Sequence, residues 1–242
     1  MPTRPSSPPK PVSEVWRPEL TRLPRLHWAR RCFRGFGRWL CRTVITVCTK
    51  ATVEGLENFP RSGPALVVVN HLGDADGALL VGSVPASLDA LGKVELYDLP
   101  ILGKMMNWYG IIWLHRGRPD RRAMRAALDG LAEGRMLIIA PEGRYSLIGG
   151  LEEGEQGAAF LAYKADVPIV PVAVIGTENA HVYGHLKRLR RAPVTLRVGK
   201  AFRLSQQADR HEMMRAGTRQ IMEALANLLP ESYRGAYRTV SD

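Results

Sequence analysis

His71 and Asp76, in the stretch "VVVNHLGDADGALLVG" (67–82), are the residue types of a general base and the acid that orients it. An imidazole held by a carboxylate keeps one tautomer, and the neighbouring charge stabilises the imidazolium that forms. Their spacing forbids the pairing on regular secondary structure. Five residues rotate about 140° on a helix, and on a strand the two side chains point to opposite faces. They meet only if the chain reverses between them. The valines read as a strand ending at Asn70, Gly73 permits a sharp turn, and Asp74 can cap a helix starting near Ala75. Asp76 then folds back beside His71 at the C-terminal end of the strand, where open α/β sheets put their chemistry. The plainer alternative is a helix-capping histidine, with Asp76 merely favouring the helix N-terminus.

No nucleophile completes a triad. There is no G-x-S-x-G elbow, and the three cysteines, Cys32, Cys41 and Cys48, lie near the N-terminus. A base without an enzyme nucleophile activates a hydroxyl, amine or water brought by the substrate, which points to direct transfer without a covalent intermediate. Arg116, in "GIIWLHRG" (110–117), follows an apolar strand and precedes a glycine, so it too emerges at a strand end. There it can grip an anionic oxygen bidentately or stand as an ordinary surface arginine. "IIAPEGRYSLIGG" (138–150) places Glu142, Gly143 and Arg144 after the most apolar strand, which suits a hydroxyl-bearing anion or a plain turn. It is not a P-loop, and "HEMMR" (211–215) has Arg215 where a zinc helix needs its second histidine, so no metal is expected.

These residues need a sheet to carry them. "ATVEG" (51–55), "GPALVVVN" (63–70), "GKVEL" (92–96), "IIWL" (111–114), "RMLIIAPEG" (135–143), "VPIVPVAVIG" (167–176) and "APVTLRVGKAF" (192–202) read as strands. Helices are expected from Ala75 to about Val84, and over 99–110, 120–134, 153–166 and about 206–229. The alternation predicts one α/β domain with a mostly parallel mixed sheet flanked by helices. Pro168 and Pro171 place their strand at an edge or a bulge.

The charge lies elsewhere. Of a net +11, from 34 Lys+Arg against 23 Asp+Glu, ten basic and two acidic residues fall before residue 43, so the remainder is close to neutral. Residues 1–22 read as a disordered, basic, Pro-rich tail. Over 23–50, Trp28, Phe33, Phe36, Trp39, Leu40, Val44, Ile45 and Val47 interleave with arginines, as in a helix lying in a membrane interface or packed on its own domain. The domain proper is placed at 51–229, with a C-terminal tail over 230–242. No run of eighteen apolar residues predicts a span, the stretch "MPTRPSSPPKPVSE" lacks the apolar core expected of a signal peptide, and three unspaced cysteines suit a reducing cytoplasm. A basic arm also suits nucleic acid, but its aromatics lie among aliphatics without a recognition motif, so no nucleic-acid partner is expected.

Taken in order, these blocks resemble the glycerolipid acyltransferases of the 1-acyl-glycerol-3-phosphate type, from about Val53 to Lys200. "NHLGDAD" is similar to the first block, N-H-x-S-x-x-D, with His71 and Asp76 at its catalytic positions. "GIIWLHRG" is similar to the second, its arginine on Arg116, and "APEGRYS" to the third, F-P-E-G-T-R-S. "VPIVPVAV" resembles the fourth, and "GKVELYDLPILG" puts the family's lysine on Lys93. The resemblance implies that His71, oriented by Asp76, deprotonates an acceptor hydroxyl that attacks the thioester of acyl-CoA or acyl-carrier protein, a cosubstrate rather than a cofactor. It implies that Arg116, Glu142 and Lys93, with Gly143 and Arg144, hold a lysophospholipid acceptor at the cytoplasmic face of a membrane. Gly73 replaces the usual serine, His115 stands where an aspartate is common, and Arg144-Tyr145 replaces Thr-Arg. Catalysis is untouched by these changes; acceptor identity is left open, as is a lipid hydrolase or a silent lipid-binding relative.

Overall fold

The computed structural model describes residues 9–117, 119–205 and 209–238. Seven strands form one sheet in the order β1-β7-β6-β2-β5-β3-β4. They are β1 (Thr49–Glu54), β2 (Ala65–Val69), β3 (Leu88–Lys93), β4 (Ile112–Leu114), β5 (Met136–Ile139), β6 (Ile169–Ile175) and β7 (Ala192–Val198). The central β2 is buried along its whole length, as parallel strands covered on both faces must be. Its alternate side chains serve two cores. Val67 and Val69 face α1 (Trp28–Cys48), α2 (Ala75–Ser83) and α6 (Asn179–Leu186) through Ile45, Leu79, Leu80 and Val182. Leu66 and Val68 face α4 (Arg121–Ala132), α5 (Gly157–Ala165) and α7 (Arg210–Leu228) through Ala127, Leu131, Leu161, Ile221 and Leu225. The short α3 (Leu102–Tyr109) ends at Gly110, in the left-handed region at φ 95°.

Only the β6–β7 pair among the named strands is antiparallel, so the sheet is mostly parallel, as the alternation predicts. Of the two places the prolines allow their strand, the structure takes one. β6 is not an edge strand, since it lies between β2 and β7. The bulge reading holds. Ile169 faces Phe202 and Val172 faces Val198, so three steps along β6 oppose four on the other chain. That slip falls at Pro171, which has no N–H to donate, while its carbonyl accepts from Gly199 at 2.9 Å. Element boundaries also shift. The strand expected at 92–96 runs from Leu88 to Lys93 and turns into a 3-10 segment over Val94–Asp98. Residues 153–156, expected to be helical, form a loop before α5.

The amphipathic stretch is a helix, α1, but its arginines do not all face outward. Arg34 is buried, paired with Asp89 and donating to the Tyr109 carbonyl at 2.8 Å. Arg38 donates to the Val84 carbonyl at 2.7 Å, and Arg30 to the Trp108 carbonyl at 3.1 Å. Spaced four apart, the three line one face and fasten α1 to the domain. Trp28, Phe36, Trp39 and Val47 point away from it, with Trp39 61 % exposed. Ile101, Leu102 and Trp108, at and within α3, are exposed as well, and Trp108 meets Phe33 of α1 at 6.0 Å between ring centroids. No helix among the described residues is long and apolar enough to cross a membrane.

Part of the tail expected to be disordered, residues 1–8, lies outside the described residues. Residues 9–22 form no helix or strand, yet they hold specific contacts. Lys10 pairs with Glu155 at 2.6 Å, Ser13 exchanges hydrogen bonds with the backbone of Arg116, and the Arg17 N–H donates to His115 Nε2 at 2.9 Å.

Candidate active site

β2, β5, β3 and β4 run parallel, so the segments leaving their C-terminal ends converge. Those segments carry His71, Glu142, Lys93 and Arg116 respectively. They border an open cleft of about 2840 Å³, lined in part by His71, Lys93, Arg116, Tyr145 and, from α1, Phe33 and Leu40.

The reversal after β2 brings His71 and Asp76 together. His71 Nδ1 lies 2.7 Å from Asp76 Oδ2, which also accepts the N–H groups of Leu72 at 2.7 Å and Gly73 at 3.1 Å. Asp76 is buried, whereas the His71 side chain keeps 31 % of its surface, and its Nε2 makes no hydrogen bond among the described residues. A carboxylate that accepts at Nδ1 leaves Nε2 as the basic nitrogen.

Gly73 is needed for a different reason from the one its sequence context suggests. Its φ is not positive, but a Cβ there would stand 2.4 Å from the Thr177 carbonyl oxygen and 2.6 Å from Asn179 Oδ1. Asp74 occupies the N-cap position of α2 without a side-chain capping bond. Its carboxylate instead accepts from Tyr145 Oη at 2.8 Å and from Tyr183 Oη and Asn179 Nδ2, each at 3.0 Å.

Glu142 is not where an acceptor-binding residue would stand. It is 0 % exposed, and its two oxygens accept the N–H of His71 at 3.0 Å and of Glu152 at 2.8 Å. Burial pushes its pKa up to about 7, against the downward pull of those two amide bonds. It braces the backbone of the histidine. Gly143, in the left-handed region at φ 71°, turns the chain into the cleft wall. Arg144 is 7 % exposed and paired with buried Glu152 at 2.6 Å, so its guanidinium is engaged within the protein.

Of the cations singled out in the sequence, Lys93 and Arg116 also line the cleft. Lys93 and Arg116 leave neighbouring strands, with Lys93 in register with Leu114. Arg116 Nη2 is 4.0 Å from Glu95, and its Nε is buried without a hydrogen-bond partner among the described residues. A planar guanidinium with an unused donor suits an anionic oxygen. No group of three or more His, Cys, Asp or Glu side chains among the described residues is placed to hold a metal ion.

The sequence reading missed two relationships. His115 and Asp120 form a second imidazole–carboxylate pair, 2.8 Å apart, at the same five-residue spacing. This one is buried and anchors the tail, for Nε2 receives the Arg17 N–H and Trp16 packs on the ring at 4.4 Å. Burial would raise the pKa of Asp120, but the amide and imidazole of His115 pull it below its ordinary value. Tyr145 is the other, its ring 4.2 Å from that of His71. The repeated H-x4-D spacing was a visible signal for the first; the second had none.

The chain that carries this histidine–aspartate pair is similar to known proteins. Residues 50–175 match the family model described as Acyltransferase, and the chain belongs to that family. It is 33 % identical over 131 residues to a chloroplastic 1-acyl-sn-glycerol-3-phosphate acyltransferase of Arabidopsis thaliana, covering 53 % of this chain and 36 % of that one. A 1-acyl-sn-glycerol-3-phosphate acyltransferase of Chlamydomonas reinhardtii is 30 % identical over 174 residues, covering 71 % of this chain and 52 % of that protein. The chain thus spans about a third to a half of these relatives. Its fold is similar to the crystal structure of the 1-acyl-sn-glycerophosphate acyltransferase PlsC of Thermotoga maritima, with a TM-score of 0.65 and 25 % identity over 82 % of this chain and 80 % of that one.

Proposed function

We propose that this acyltransferase moves a fatty acyl group from a thioester, acyl-CoA or acyl-carrier protein, to the hydroxyl of a lysophospholipid, 1-acylglycerol-3-phosphate being the acceptor its relatives' names indicate. The single observation that carries the reading is the His71–Asp76 contact of 2.7 Å with Nε2 left unbonded in the cleft. Nε2 takes the hydroxyl proton as the acceptor oxygen attacks the thioester carbonyl carbon. The tetrahedral intermediate collapses, the C–S bond breaks, and the imidazolium returns its proton to the departing thiolate. Asp76 fixes the tautomer and stabilises the imidazolium. No covalent acyl-enzyme is involved.

Arg116 and Lys93 supply the positive charge for the acceptor's phosphate. The outward aromatics of α1 and the apolar residues around α3 rest on the cytoplasmic face of a membrane, from which the lysophospholipid acceptor is drawn.

The test is acyl transfer from labelled acyl-CoA to lysophosphatidate by His71→Ala. A loss of 10²–10⁴-fold in rate with the fold retained supports the base assignment. Wild-type activity in this variant refutes it, and donor consumption without an acylated lipid product would make the protein a hydrolase.

A further inference from the structure

The His71 imidazole is engaged at one nitrogen by Asp76, and its main chain is held from two further sides. Glu142 accepts its N–H at 3.0 Å, and the Ser146 N–H donates to its carbonyl at 2.7 Å. None of these backbone bonds limits rotation of the ring. What stands against the ring is Tyr145, with centroids 4.2 Å apart and planes inclined by 68°. This edge-on geometry is a favourable one for aromatic pairs.

Tyr145 is itself fixed at its far end. Its hydroxyl donates to Asp74 Oδ1 at 2.8 Å, and Asp74 is in turn gripped by Tyr183 and Asn179 on α6. The Asp74 N–H donates to Asn179 Oδ1 at 2.8 Å and closes the network. The side chain thus runs from the loop after β5 across the imidazole to the start of α2, and from there is tied to α6. Burial first, and then the Asp74 carboxylate, push the phenol pKa up, so the hydroxyl stays a donor.

We propose that Tyr145 is a positioning residue for acyl transfer: braced by Asp74, its ring holds the His71 imidazole in the orientation that presents Nε2 to the cleft. This rests on His71 being the base. A base must lie within hydrogen-bond reach of the proton it takes, and a misplacement of about 1 Å can cost about 10²-fold in rate. One hydrogen bond at Nδ1 leaves the ring free to swing about that contact; a ring packed on its side removes the swing. In the block that "APEGRYS" resembles this position is an arginine; here it is a tyrosine whose ring stands against the imidazole.

The experiment compares Tyr145→Ala, Tyr145→Phe and Asp74→Asn with wild type and with His71→Ala. Steady-state kinetics are run with acyl-CoA and lysophosphatidate, melting temperatures are measured, and side-chain NMR follows the His71 imidazole. Tyr145→Ala should lose roughly 10–100-fold in kcat with KM for both substrates within about twofold, and its His71 resonances should broaden. Tyr145→Phe keeps the ring and should recover most of the loss; Asp74→Asn should lie between. Unchanged kcat in Tyr145→Ala overturns the proposal, as does a loss that appears only in KM or only alongside a collapsed melting temperature. If His71→Ala is as active as wild type, it is the general-base reading that fails, whatever the tyrosine variants do.

Discussion

The N–H of His71 donates to Glu142 Oε1 at 3.0 Å, from beneath a surface that leaves Glu142 wholly buried. The second Glu142 oxygen holds the Glu152 amide, so one carboxyl group joins the strand-end histidine to the loop after β5. Its pKa, raised by burial to about 7, makes the joint sensitive to pH.

The sign follows from linkage. A carboxyl whose pKa rises from 4.5 on folding to about 7 binds more protons in the folded state between those values. Its contribution is fully present below about pH 4.5 and is lost as pH climbs through about 7. The wild-type melting temperature, compared with that of Glu142→Gln between about pH 5 and about pH 8, should fall more steeply. Parallel curves would remove Glu142 as the titrating group.

Asp76→Asn should leave the fold intact and lower kcat on the order of 10²–10⁴-fold, because the amide favours the wrong imidazole tautomer. The measurement is acyl transfer with both substrates saturating, alongside circular dichroism. A loss below tenfold would show that His71 is oriented without it.

Gly73→Ser should destabilise the protein by about 1–3 kcal/mol, since the added Cβ meets the Thr177 carbonyl and the Asn179 backbone, neither the free end of a flexible side chain. Urea denaturation checks this. The same substitution looks harmless in the sequence, where serine is the usual residue of the resembling block.

Trp39→Glu, or Phe36→Glu, should abolish binding to vesicles containing anionic lipid while leaving the melting temperature unchanged, as both side chains point away from the domain. Co-sedimentation decides. Retained binding would place the lipid-contacting surface elsewhere.

The Arg17 amide, bonded to buried His115 Nε2, should exchange slowly with solvent, and His115→Leu should release it. Hydrogen exchange followed by mass spectrometry reads this directly. Fast exchange in the wild type would mean that the tail does not rest there.

How far the sequence was legible can be argued from these residues. The His71–Asp76 meeting was readable because only a chain reversal reconciles that spacing with a shared function, and Val67–Val69 announced the strand before it. Arg116 was legible as a strand-end cation; Lys93 entered only through the resemblance, since the strand expected over 92–96 put it near a strand's start, whereas β3 ends there. Glu142 was not: the motif gave its position but not its burial, which depends on the loop at 152 folding back over it. Arg144 read as a cation for substrate, and only the structure reveals Glu152 as its partner. Pro171 signalled an edge or a bulge, and the structure takes the bulge, because a slipped register accommodates a missing N–H inside a sheet. The α1 arginines left two readings open, since periodicity gives a face and not what that face meets; carbonyls of Val84, Trp108 and Tyr109 took them.

Those arginine clasps decide how force passes through the molecule. A helix tethered by a loose linker could settle on any support while the catalytic half drifted above it. Here Arg30, Arg34 and Arg38 weld the aromatic keel to the hull, and Phe33 and Leu40 of that keel wall the cleft itself. Whatever α1 rests upon, the cleft that holds His71 is fastened to it.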